Sequence, residues 1–297
     1  NGDPYDLDPS HWNGQETNPL YQVANINEKA TKNIIVGTYR AEYRPVDFLK
    51  LETKYAYDRR TYNNREVEPY DYLVKTSVKG ELGTSKGNLY RSNSFNLNQT
   101  IQFTAHFNKQ YGDWTTKGKF SYLYEDYQFE EFTAYGTEFA VSGTPNLEVI
   151  SGDQTLTSQK EITRAKNFFG IANVDYKDKY LADVMYRYDG SSRFGEDQRW
   201  HPYYRVSGAW RITEDFDIPG IQEWKIRAAY GTSGQRPGYA AQYETYSVSP
   251  GGNYSKGTLG NPDLKPSTTA ETEFATNISF LDRFSFEASY SISNTED

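Results

Sequence analysis

Residues 167–212 read NFFGIANVDYKDKYLADVMYRYDGSSRFGEDQRWHPYYRVSGAWRI, and this stretch decides the fold. Phe168, Gly170, Ala172, Val174 and Tyr176 place apolar, small or aromatic residues at every second position. Lys177, Asp178 and Lys179 make a short polar turn. Tyr180, Ala182, Val184, Tyr186 and Tyr188 then resume the alternation, with Asp183, Arg187 and Asp189 on the other face. Side chains of a strand point alternately to opposite faces, so a period of two predicts a hairpin with one apolar and one charged face. Beyond a polar loop, Tyr204, Val206, Gly208, Trp210 and Ile212 begin another strand. Such a hairpin suits the wall of a transmembrane β-barrel, with lipid on one side and water on the other.

The pattern repeats along the chain. Hairpins are predicted near 34–59, 97–125, 165–189, 203–231 and 269–293, separated by long polar loops near 1–32, 61–95, 126–163, 190–202 and 232–268. Short turns alternating with long loops are what outer-membrane barrels show, the turns facing the periplasm and the loops facing outward. The expectation is an all-β chain, 1–297, forming part of one antiparallel barrel domain. About ten residues per strand, at ~3.4 Å each and a tilt of ~45°, span roughly 24 Å, close to an apolar band of ~25 Å. Tyr43, Tyr57, Tyr124, Tyr188 and Trp210, near strand ends, fit an interfacial aromatic girdle.

Composition is consistent with this. Only 36% of the residues are hydrophobic, yet 16% are aromatic, including 27 Tyr, which argues against disorder. A mean hydropathy of -0.86 without a long apolar run excludes a transmembrane helix but not barrel strands, which need lipid-facing residues only at alternate positions. The net charge of -8 argues against nucleic-acid binding. Cysteine is absent, so no thiolate chemistry or disulfide is available. The polar opening NGDPYDLDPSHWNG, with no initiator Met or signal peptide, and the ending at Asp297 suggest a segment of a longer chain.

Enzymatic signatures are missing, and no enzyme activity or cofactor is expected. His11, His106 and His201 lack paired metal-ligand spacing, and there is no nucleophile elbow or phosphate-binding glycine loop. Asp3, Asp6 and Asp8 lack the glycine and closing glutamate of a calcium loop and read as a solvated acidic segment.

The run Tyr186 to Gly195 (YRYDGSSRFG), then Arg199-Trp200, then Val206 to Ile212 (VSGAWRI), resembles the SusC/RagA family of TonB-dependent outer-membrane transporters of the Bacteroidetes. Lys225 to Gln235 (KIRAAYGTSGQ) and Leu259 to Pro266 (LGNPDLKP) follow in the family's order. Asp189, Gly190, Ser191, Ser192, Arg193, Phe194, Trp210, Gly260, Asn261 and Pro262 are the signature positions, read as structural. The resemblance implies a barrel of roughly 22 strands, of which this chain supplies about half, closed by a plug domain that this chain does not contain. It also implies energisation by TonB through an N-terminal region, a SusD-like surface lipoprotein, and import of a nutrient such as an oligosaccharide or oligopeptide.

On such a barrel Asp183, Arg187, Lys225, Arg227, Glu271, Glu273 and Glu287 are lumen-facing candidates, either solvating the lumen and holding a plug or lining the solute path. Trp12, Tyr239, Tyr243, Tyr246 and Tyr254 are loop aromatics that suit contact with solute or lipoprotein, or with one another. Two rival readings stay open from the residues alone: a soluble or surface β-sandwich for adhesion or glycan binding, and a passive porin.

Overall fold

The computed structural model describes residues 18–75, 82–249 and 251–296. Helix α1 (Pro19–Asn25) precedes strands β1 (Asn27–Val46) and β2 (Leu49–Glu68), the short pair β3 (Tyr72–Lys75) and β4 (Leu82–Ser85), then β5 (Asn88–Tyr111), β6 (Trp114–Thr137) and β7 (Gln154–Tyr176). There follow β8 (Tyr180–Ser191), β9 (Trp200–Arg211), β10 (Ile221–Gln235), the short pair β11 (Tyr246–Val248) and β12 (Tyr254–Lys256), β13 (Ser267–Phe280) and β14 (Phe284–Glu296). Ten of these form one antiparallel sheet in the order β1-β2-β5-β6-β7-β8-β9-β10-β13-β14, an up-and-down meander. The short pairs β3-β4 and β11-β12 form two further two-stranded sheets among the described residues.

By internal contacts the chain divides into two units. One comprises residues 1–36, 58–98 and 128–162. It holds a small apolar core of Val67, Leu89 and Phe139, flanked by Tyr70, Leu147, Val149 and Ile150. Gly87 has φ +81°, and a Cβ there would lie 2.6 Å from both the Glu68 carbonyl oxygen and the Phe139 ring, so this corner needs glycine.

The other unit comprises 37–57, 99–127 and 163–297, and here the register fixes both faces of the sheet. Val184 pairs with Ala172 and Val206, Val206 with Tyr230, Tyr230 with Thr272, and Thr272 with Ile292. The next row runs Val174, Ala182, Gly208, Ala228, Phe274, Tyr290. These rows are exposed: Val184 and Val206 at 50% and Phe274 at 55%. Water does not tolerate so wide a contiguous apolar face, whereas hydrocarbon does. The alternate rows carry the charged and polar residues, as in Asn173, Asp183, Ser207, Glu273 and Ser291, with small or apolar members such as Ala229 and Leu181 among them.

Tight turns close the hairpins. Lys177 and Asp178 take φ of 55° and 56°, and Leu281 and Asp282 of 55° and 53°, left-handed values that suit the right-handed twist of the flanking strands. The Lys179 N–H closes the first of these turns on the Tyr176 carbonyl at 3.0 Å.

The strands differ from the expected ten residues. β1 and β2 have 20 residues, β5 and β6 have 24, and β7 has 23. The loop expected over 61–95 is largely strand, because β2 runs on to Glu68, β3 and β4 pair, and β5 begins at Asn88. The loop expected over 126–163 shrinks to 138–153, and β1 occupies the end of the loop expected over 1–32. The apolar alternation marks only the part of a strand that has an apolar face. Backbone pairing carries the ladder further through polar sequence such as Thr61–Glu68, which leaves no periodic signal. The smaller corrections have the same cause: β8 extends to Ser191, β9 starts at Trp200, β10 extends to Gln235, and β11 and β12 lie within the loop expected over 232–268. Asp3, Asp6, Asp8 and Trp12 lie outside the described residues.

Candidate functional site

The candidate site is the charged face of β7–β10, β13 and β14, together with the loop segments over one end of it. Alternation puts Asp183 on this face, and the ladder brings Arg205 of β9 beside it. The guanidinium donates from Nη2 at 2.6 Å and from Nε at 3.1 Å to Asp183 Oδ1. Asn173 Nδ2 donates at 2.6 Å to the other carboxylate oxygen. Arg227 of β10 lies 3.6 Å from Glu273 and 3.0 Å from Glu287, bridging β13 and β14. Asp183, Arg205, Arg227 and Glu273 line one cavity of about 680 Å³ with Asn173 and Lys117.

A second cavity of about 830 Å³ lies nearer the loops, lined by Arg187, Asp189, His201, Tyr203, Gln235 and Arg236 among others. Arg187 Nε donates to Asp189 Oδ1 at 2.7 Å. Beside it Arg236, just past β10, reaches Glu125 Oε2 and Asn167 Oδ1, each at 3.3 Å. Asn167 is 2% exposed and donates through Nδ2 to the same Glu125 oxygen at 2.9 Å, so a buried amide is satisfied on both sides.

The structure joins several of the candidates and leaves others apart. Arg227, Glu273 and Glu287 form one cluster, and Asp183 and Arg187 sit in separate ion pairs. The side chains of Lys225 and Glu271 make no hydrogen bond or ion pair among the described residues, although both lie on the charged face by register. The loop tyrosines associate in pairs, Tyr239 with Tyr243 at 6.3 Å and Tyr246 with Tyr254 at 6.2 Å between ring centres. Even so, Tyr254 stays 75% exposed.

Apart from Trp210, the signature positions gather at the loop end. Ser192 accepts the Arg164 N–H on its Oγ at 2.9 Å and gives its carbonyl to Gln242 Nε2 at 2.7 Å. Arg193 Nη1 donates to the Pro237 carbonyl at 3.4 Å. Phe194 is buried edge-on against His201. Gly190 faces the Trp200 ring, where a Cβ would approach to 2.8 Å, and Gly260 leaves no room for a Cβ against the Tyr243 backbone, 2.2 Å away. Asn261 donates its N–H to the Ala241 carbonyl and caps Asp263 with its side chain. The signature therefore fastens the segment 237–262 onto the loop after β8.

At the opposite end, Asp215, in the connection between β9 and β10, accepts from Lys179 Nζ at 2.7 Å, Tyr180 Oη at 2.8 Å and Trp210 Nε1 at 2.9 Å. These donors, Lys179 foremost, lower its pKa to about 2. Trp210, another signature residue, also stacks on Tyr180.

Arg205, outside the lumen-facing candidates, occupies the alternate position between Tyr204 and Val206, where the charged face is legible in the sequence. Glu125, Asn167, Arg236 and Asp215 gave no such signal, since their partners depend on register and loop path.

Comparison with known proteins gives consistent matches. A family model described as TonB dependent receptor-like, beta-barrel, matches residues 1–297. TonB-dependent receptor P26 of Formosa agariphila is 26% identical over 228 residues, covering 74% of this chain and 22% of that protein. TonB-dependent receptor SusC of Bacteroides thetaiotaomicron is 25% identical over 244 residues, covering 74% of this chain and 21% of that protein. The solved RagAB peptide transporter superposes with a TM-score of 0.84 at 18% identity, over 97% of this chain and 33% of that one, a likeness of fold. The chain spans 18–27% of the length of the curated relatives it matches.

Proposed function

The chain belongs to the TonB-dependent receptor-like β-barrel family, of SusC/RagA type and outer-membrane location, and from that premise we propose that it walls an energised nutrient importer. The observation that carries the proposal is the division of the sheet into an exposed, largely apolar face and an opposite face that carries the ion pairs. Lipid covers the first. The second lines the lumen, where Asp183, Arg187, Lys225, Arg227, Glu271, Glu273 and Glu287 keep the passage wet and charged.

In this reading the protein performs no covalent chemistry. A solute, an oligosaccharide or oligopeptide, is captured at the loop end beneath a SusD-like lipoprotein. Exposed Tyr243, Tyr246 and Tyr254 offer flat amphipathic surfaces to that lipoprotein or to the solute. Movement inward is driven by TonB acting through a part of the protein outside this chain. Family membership favours this over a passive porin.

The test is to isolate the full-length protein from native outer membranes and identify co-purifying lipoprotein and ligand by mass spectrometry, alongside uptake in cells with and without TonB. A lipoprotein partner and TonB-dependent uptake are expected. Fractionation with soluble periplasmic protein, or uptake indifferent to TonB, contradicts the proposal.

A further inference from the structure

In the unit formed by residues 1–36, 58–98 and 128–162, a groove of about 540 Å³ crosses the ends of β1, β2, β5 and β6 beneath the 3₁₀ turn at Leu147–Val149. Three cations line it, Lys29, Arg65 and Arg91, and no carboxylate among the described residues does. This is unusual in a chain of net charge -8, where Arg205, Arg227, Arg187, Arg164 and Lys179 each hold a carboxylate. The side chains of Lys29 and Arg91 make no hydrogen bond or ion pair among the described residues. Among the described residues Arg65 donates to the Pro145 carbonyl, at 3.1 Å, and to no carboxylate, which fixes its guanidinium at the groove with its charge unneutralised there.

The remaining lining has a consistent chemistry. Asn63 and Asn93 form an amide pair across β2 and β5, with spare donor and acceptor capacity for hydroxyl groups. Phe132 is 47% exposed at the same groove and presents an apolar ring face. Unpaired cations recognise an anion, with the guanidinium fork matched to two oxygens of a phosphate, sulfate or carboxylate. Amides bond hydroxyls, and an exposed ring packs on the C–H face of a sugar. We propose that this groove binds an anionic saccharide, one bearing phosphate, sulfate or carboxylate groups.

Two sources carry that chemistry: the phosphorylated sugar headgroup of an outer-leaflet lipid, and a soluble acidic oligosaccharide. Neither depends on transport, because the readout is binding. The full-length protein in detergent is titrated with phosphorylated lipid A, with tetragalacturonate and with neutral cellotetraose. Saturable binding of at least one anionic probe is expected, weakening tenfold or more from low to high salt, with cellotetraose at least tenfold weaker. Lys29→Gln/Arg91→Gln is expected to lose at least tenfold in affinity for that probe while keeping the wild-type melting temperature.

Lipid A binding alone assigns the groove to the membrane surface, and tetragalacturonate binding alone assigns it to a soluble ligand. Either outcome supports the site. Failure of both anionic probes, salt-indifferent binding by the wild-type protein, or equal affinity in the folded double variant overturns it. The salt arm needs no variant, so it decides the matter even if the substitutions impair folding.

Discussion

Gly195 and Pro262 touch across 66 intervening residues: a Cβ on Gly195 would stand 1.9 Å from the Pro262 carbonyl oxygen. Gly195 has φ -56°, which any residue adopts, so glycine is there for space and not for backbone freedom. Gly195→Ala must therefore push the Pro262 backbone away. The expected cost is about 1–3 kcal/mol, confined to the docking of segment 237–262. Limited proteolysis of the full-length protein checks this, with faster cleavage in that segment expected while the barrel keeps its heat-modifiable migration.

The two faces of the sheet respond oppositely to charge. Val184→Arg places a cation on the apolar row and is expected to destabilise the folded protein in lipid by about 2–4 kcal/mol. Ala229→Lys, which lands on the polar row opposite Glu273, is expected to change stability by less than about 1 kcal/mol. Unfolding titrations in lipid vesicles compare them, and equal penalties contradict the facing.

Asp215 confers an acid dependence. Its pKa falls from the ordinary 3.8 to about 2 because Lys179, Trp210 and Tyr180 hold the charged form. A carboxylate depressed on folding contributes stability that is complete above the unfolded value and disappears as pH falls through the folded one. The stability difference between the wild-type protein and Asp215→Asn is thus expected to be constant above about pH 4 and to shrink towards pH 2. Denaturant midpoints across that range read it, and a difference that does not change with pH contradicts the assignment.

Arg236 closes a network with Glu125 and Asn167 at the loop end. Arg236→Ala leaves Asn167 Oδ1 buried without this donor, and a loss of about 1–3 kcal/mol is expected. Glu125→Gln keeps the amide contacts while removing the charge and is expected to cost less. Melting temperatures of the two variants in detergent give the ordering.

How far the sequence discloses this architecture depends on what each residue's neighbours are. Val184, Val206 and Tyr230 announce their face because lipid demands an apolar residue at alternate positions along the wall. Arg205 follows from the same alternation. The long extensions of β2, β5, β6 and β7 leave no such mark, since polar strands carry no apolar period to read. Arg236 and Glu125, 111 residues apart, meet only because the chain just past β10 lies against β6 and β7. The signature from Asp189 to Phe194 is plain as a motif, but its purpose emerges only when Ser192, Arg193 and Gly195 are seen gripping Gln242, Pro237 and Pro262.

The facing of the wall is open to direct measurement by cysteine labelling: none of these 297 residues is a cysteine, and any native cysteine elsewhere in the full-length protein is first replaced by serine. Single cysteines at Ala182, Val184, Val206 and Ala228, and at Asp183, Ser207 and Ala229, are introduced into the full-length protein in native outer membranes. Each is challenged with a lipid-soluble and a membrane-impermeant maleimide. The first group is expected to react with the lipid-soluble reagent alone, and the second with the water-soluble reagent once the lumen is opened to it. A first group that reacts with the water-soluble reagent as readily as the second would mean that these strands do not form a membrane wall.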